Sequence, residues 1–360
     1  MQKSQSTPVI SLILSGLLAT QASAQEMDHS NHADHASHSD HSGHAMHDTS
    51  SGLHTHHAHQ AGSWMFEYQF MRMDMDGMID GKDDVSSTEV TAMPSMGGYG
   101  YMMTPESMTM DMHMFMLMYG MTDRVSLMGM FNYLDNSMDM ITRAGLKSTM
   151  STSGMSDTLL GAMYQVNPAL TLSLGLSIPT GSIEETGDMV MDSGTMQDVT
   201  LPYPMQLGSG TYDFVPSATY NGQYGDWAFG GQASYTFRTG ENDRDYTFGD
   251  RAEGTIWLKR SLSPTLVVSS RLGYARWGNI DGMDKNILIA NTMGMKTSPT
   301  SDPNLQGGSR IDLLLGISAM FGQRSMLGLE FGVPLMQDLD GPQMQTDRII
   351  SISYQYSPAL

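Results

Sequence analysis

Eleven of the 12 histidines in this chain lie between His29 and His59. His29, His32, His35, His38, His41, His44 and His47 recur at a strict three-residue interval, and His54, His56, His57 and His59 follow. Asp28, Asp34, Asp40 and Asp48 lie among them, with Met27 and Met46. On an extended, polyproline-like chain a three-residue repeat sets every imidazole along one edge. Neutral imidazoles suit Cu(II), Zn(II) and Ni(II). Many equivalent ligands on a flexible segment favour a mobile sponge for several ions over one tetrahedral site. The same segment also reads as a solvated spacer of biased composition.

A second pattern is a ladder of thioethers. Met108, Met110, Met112, Met114, Met116 and Met118 occupy alternate positions and so share one face of a strand. The opposite face carries Thr109, Asp111 and His113, then Phe115, Leu117 and Tyr119. Thr, Asp and His suit a wet interior, which sends the methionines outward as apolar filler. The competing reading turns the thioethers inward as a track for Cu(I), since soft ligands favour that ion. Met71 and Met73 share a face with Glu67 and Gln69, which argues for some inward methionine. Asp111, His113 and Glu67 are therefore the candidate interior polar residues.

No arrangement for covalent or hydrolytic chemistry emerges. The chain has no cysteine, and it lacks G-x-S-x-G, P-loop and H-E-x-x-H motifs. It is not expected to be an enzyme or to require a cofactor. Lys+Arg 18 against Asp+Glu 38 gives a net charge of -20, which disfavours nucleic acid as a partner and favours cations. Acidic loops (Asp74, Asp76, Asp80, Asp83 and Asp84; Glu184, Glu185, Asp188 and Asp192) read as solvated surface, and the first lacks a calcium-loop register because Gly77 follows Asp76 directly.

The elements that must position these groups divide in three. Residues 1–24 read as a signal peptide, with Lys3, an apolar stretch from Pro8 to Thr20, and the Ala22-Ser23-Ala24 cleavage pattern. Residues 25–62 have almost no large apolar side chain and form the His/Asp-rich tail, expected to be disordered without metal. From residue 63 to 360 the texture becomes period-two alternation, as in Leu170, Leu172, Leu174 and Leu176 against Thr171, Ser173 and Gly175. Twelve strands are predicted, near 64–73, 108–119, 125–134, 155–165, 169–179, 211–221, 227–238, 251–261, 265–277, 309–321, 326–334 and 346–356. Their connections alternate long and short. Short periplasmic turns, long outer loops and an even strand count predict an all-β, antiparallel, up-and-down transmembrane barrel in outer-membrane lipid, its tail in the periplasm. A soluble β-sandwich is the alternative.

Several stretches together resemble a known family: Trp64-Met65-Phe66-Glu67-Tyr68, Met71-Arg72-Met73-Asp74-Met75-Asp76-Gly77, Leu201-Pro202-Tyr203-Pro204-Met205-Gln206-Leu207-Gly208-Ser209-Gly210, Trp277-Gly278-Asn279-Ile280-Asp281-Gly282 and Gln337-Asp338-Leu339-Asp340-Gly341-Pro342. The resemblance is to the outer-membrane transporter family grouped under the MetA pathway of phenol degradation. It implies a barrel that passes small molecules and carries over no catalytic residue. The tail resembles the Met/His/Asp-rich N-terminal regions of copper-resistance outer-membrane proteins. The leading expectation is a barrel transporter whose tail handles Cu, Zn or Ni, copper first. The alternatives are a passive channel for small hydrophobic or aromatic compounds and a non-conducting barrel.

Overall fold

Alternation of apolar with small polar residues puts successive side chains on opposite faces of a strand. A chain of such segments can segregate its two faces by closing a sheet on itself, which also removes the sheet's open edges. The computed structural model describes residues 60–191, 193–287 and 296–358. The signal peptide and residues 25–59 of the tail, with all of the tail's histidines, lie outside the described residues. Eleven antiparallel strands close the barrel: β1 Trp64–Gly81, β2 Met103–Gly120, β3 Val125–Thr142, β4 Thr158–Asn167, β5 Leu170–Ile178, β6 Tyr212–Tyr224, β7 Trp227–Thr239, β8 Arg251–Ser263, β9 Leu266–Trp277, β10 Gly308–Phe321 and β11 Ser325–Tyr356. Pairing of β11 with β1 closes the ring.

The last strand is 32 residues long and crosses twice. Residues 325–339 pair with β10, and residues 339–356 pair with β1. The chain doubles back at Asp340-Gly341, where Gly341 takes φ 102°, a backbone setting that suits glycine. Gln337 clasps the returning leg by accepting from Thr346 N at 2.8 Å and donating to its carbonyl at 3.0 Å. The barrel thus has twelve crossings, as the alternation predicts. Its short turns all lie at one end, at 121–124, 168–169, 225–226, 264–265 and 322–324, and the long connections lie at the other.

The outward positions carry Phe66, Phe115, Phe131, Leu174, Phe214, Ile256, Leu315 and Ile352, all exposed. That band of apolar side chains faces lipid. Aromatic groups mark its short-turn rim. The rings of Trp64 and Tyr119 lie 4.5 Å apart, and the Arg260 guanidinium sits 5.0 Å from the Trp227 ring centre. Such amphipathic rings favour the membrane–water interface.

The structure departs from the sequence-based bounds at β1, β2 and β3, each 18 residues long. A tilted strand crosses the apolar layer in about 9–11 residues. The remaining residues rise above it as a paired wall. Asp74 and Asp139 interrupt the apolar pattern and in the sequence resemble loop residues. In the fold Asp74 pairs with Arg348 at 2.7 Å and Asp139 accepts from Thr149 at 2.6 Å. Polar outward positions are compatible with a strand once it leaves the lipid. Lys147–Met155 pairs onto this raised part of β3 and was not foreseen as a separate strand.

Candidate functional site: an amphipathic lumen

The parity of each strand decides what lines the interior. Within the methionine ladder of β2, Met108, Met114, Met116 and Met118 are buried, at 6% exposure or less. Phe115, one residue out of phase, is 52% exposed. The methionine ladder therefore faces the lumen, and the expectation that it faces lipid is overturned. Asp111 and His113 lie on the outward face. Asp111 accepts from Arg72 Nε at 2.7 Å, and His113 Nδ1 lies 2.9 Å from the Tyr68 hydroxyl, with the Phe70 ring 5.2 Å away. In the sequence, the polarity of Thr109, Asp111 and His113 points the parity of β2 the other way. Those residues sit toward the outer rim, where an outward polar group meets headgroups and water. Glu67 stands on the inward face of β1, in register with Met116.

β1, β2, β3 and β4 together make one wall of thioethers. Met65, Met114, Met116, Met118, Met128, Met130 and Met163 form a continuous buried cluster toward the short-turn end. Trp257 and Lys259, 5% and 3% exposed, fill the same end from the opposite side. That end of the lumen is packed with side chains.

The facing wall is a ladder of ion pairs. Arg271 donates to Glu330 through Nη2 at 2.6 Å and Nε at 3.3 Å. Arg310 Nε reaches Asp312 at 2.9 Å, and Arg251 Nε reaches Glu253 at 2.9 Å. Arg238 pairs with the fully buried Asp213. Each cation neutralises a neighbouring carboxylate, so the ladder offers hydrogen bonds with little net charge. This wall was missed in the sequence. Its signal was present as charged residues at alternate positions of otherwise apolar strands.

Two cavities lie between the walls. One, of about 300 Å³, runs from Met71, Met112 and Met114 to Arg271 and Glu253. The other, of about 320 Å³, lies above it between Met75, Met108, Met110 and Met138 on one side and Gln306 and Gln337 on the other. They share Met73, Arg251 and Arg310. Inward-folded connections roof the upper cavity. Leu201, Tyr203 and Met205 are buried there, Thr152 donates to the Met205 carbonyl at 2.9 Å, and Trp277 Nε1 donates to the Gln306 carbonyl at 2.8 Å. Beside the roof Tyr99 donates to Asp80 at 2.6 Å, and this bond pushes its phenol pKa up to about 12. Among the described residues no group of three His, Asp or Glu side chains is arranged to hold a metal ion.

Because the chain has no cysteine, single cysteines report the faces cleanly. In bilayers, Met112→Cys should react with a small water-soluble thiol reagent and Phe115→Cys should not. The reverse pattern would contradict the parity.

Residues 117–276 match the family described as "Putative MetA-pathway of phenol degradation". No curated protein matches the chain in sequence. Among solved structures, an outer membrane channel from Pseudomonas putida F1 is similar at TM-score 0.57 and 16% identity, covering 86% of this chain and 100% of that one. A FadL homologue of Pseudomonas aeruginosa gives 0.45 and 10%, over 82% and 90% of the two chains. The P. putida toluene transporter TodX gives 0.42 and 8%, over 83% and 90%. This chain folds as an outer-membrane β-barrel, and the central part of its sequence matches the phenol-degradation family.

Proposed function

We propose that the barrel is a passive channel for small hydrophobic compounds, single-ring aromatics foremost. The observation that supports this reading is the lumen itself, in which a thioether wall faces a neutralised polar ladder across two contiguous cavities. An apolar cavity of about 150 Å³ holds a benzene ring, so each chamber has room for one ring with a polar substituent. Methionine sulphur favours aromatic contacts and adapts to different shapes. A hydroxyl or amine on the ring would find donors and acceptors on Arg251, Arg310 and Gln337. The family matched by residues 117–276 is described by phenol degradation, in keeping with such a cargo. The test is uptake of a radiolabelled phenol by cells whose own hydrophobic channels are deleted. Expression of the chain should accelerate phenol entry and leave glucose entry unchanged. Equal rates with and without the protein would reject the channel.

The histidine tail supports a separate role. We propose that it captures Cu(II), Zn(II) or Ni(II) beside the periplasmic end, with copper the first candidate. The strict imidazole spacing supports this reading. The barrel also begins at its short-turn end, where Gly62 N bonds the Gly120 carbonyl at 2.7 Å. Titration of the three ions into the full chain and into one lacking residues 25–62 tests it. Multi-site binding should vanish with the tail, and equal weak binding by both would reject the role.

A further inference from the structure

The methionines of the upper lumen form more than an apolar lining. Across four adjacent strands the register sets Met75 beside Met108, Met108 beside Met138, and Met138 beside Met150. All four share a face, and directly opposed side chains in a sheet have Cβ atoms about 4.5–5.5 Å apart. The next row down places Met110 beside Asn136. Asn136 is fully buried, and both its amide oxygen and its amide nitrogen lack a hydrogen-bond partner among the described residues. A buried, unpartnered amide is costly, and a ligand that takes its oxygen would remove part of that cost. The 320 Å³ cavity gives access, since Met75, Met108, Met110 and Met138 all line it.

We propose that this row is a binding site for a soft monovalent cation, Cu(I) or Ag(I), held by Met108, Met110, Met138 and Met150 with the Asn136 oxygen alongside.

The choice of residue supports sulphur chemistry over simple filling. On β2 and β3 the outward apolar positions use Phe115, Leu117, Leu127 and Phe131, whereas the inward ones use methionine. Both faces need apolar volume. Burying methionine costs more rotamer entropy than burying leucine, yet Met138 and Met150 are 0% and 2% exposed. Neutral thioethers are soft donors that select Cu(I) over harder ions. The site needs no redox step, because the ion enters and leaves as a monovalent cation. It is separate from the histidine tail, whose imidazoles offer nitrogen.

The ligand type separates the two sites. Full-length protein in detergent would be loaded anaerobically with one equivalent of Cu(I) and its metal environment read by X-ray absorption. The wild type should show a sulphur shell. The variant carrying M108L, M110L and M138L keeps apolar volume but removes three donors. It should lose that shell and bind Ag(I) at least tenfold more weakly in a competition titration. A wild-type spectrum with only nitrogen and oxygen neighbours would overturn the proposal, whether or not the variant folds. An unchanged sulphur shell and affinity in the folded variant would overturn it equally.

Discussion

Glu330→Ala should destabilise the barrel by about 3–5 kcal/mol, the usual cost of removing one member of a buried ion pair. Glu330 is 1% exposed, and the side chain of its partner Arg271 is 14% exposed. The two groups join the strands β9 and β11 across β10 through two hydrogen bonds. Without the carboxylate, the guanidinium stays in the lumen with its charge uncompensated. The double variant R271M/E330L should lie much closer to wild type, because it removes both charges and fills similar volume. Urea unfolding of the detergent-folded protein measures both. A loss below about 1 kcal/mol for the single variant would mean that water reaches the pair and screens it.

Met73→Trp should cut solute uptake at least tenfold, about 1.4 kcal/mol in the barrier. Met73 borders both cavities, and its sulphur lies 3.8 Å from Arg310 Nη1. It thus stands, with Arg251 and Arg310, where the two chambers meet. An indole there would fill the connection, while the cavities on either side leave room for it without displacing backbone. Met73→Leu keeps the passage open and should transport within about twofold of wild type. If M73W also transports at the wild-type rate, the cargo does not pass between these two chambers.

Much of this architecture was legible in the sequence. The alternation in Leu170–Ile178 and the order of short and long connections gave the barrel and its twelve crossings, because a sheet with one lipid face leaves a strong period-two imprint. The two legs of the last strand read as separate strands, 326–334 and 346–356, but the pairing that carries both to a tight fold-back at Asp340-Gly341 was less visible, since Gln337, Asp338 and Asp340 resemble loop residues. The heights of β1–β3 escaped notice because above the lipid no apolar residue is required outward. Asp74 and Asp139 then resemble loop residues.

The lumen was harder still. Thioethers satisfy either lipid or interior, so methionine alone does not fix its face. Asp111 and His113 pointed the wrong way because polar residues near a membrane rim are tolerated outward. Phe115, Leu117 and Tyr119 further along the same strand carried the better signal. Glu67, with Gln69 two residues on, was informative because a carboxylate within the lipid-crossing stretch has nowhere to go but inward. The ion-pair ladder joins residues as distant in sequence as Arg271 and Glu330, and only strand register brings them together. The roof over the upper cavity depends on Tyr203-Pro204-Met205 and Gln306 folding inward, which no local pattern encodes.

The most direct test of the lumenal route is anomalous diffraction from crystals of the protein soaked with a bromophenol. A bromine peak between Met73, Met110 and Arg310 is the expected result. Bromine found only on the outward apolar band, with both chambers empty at saturating ligand, would contradict a passage through the methionine-lined lumen.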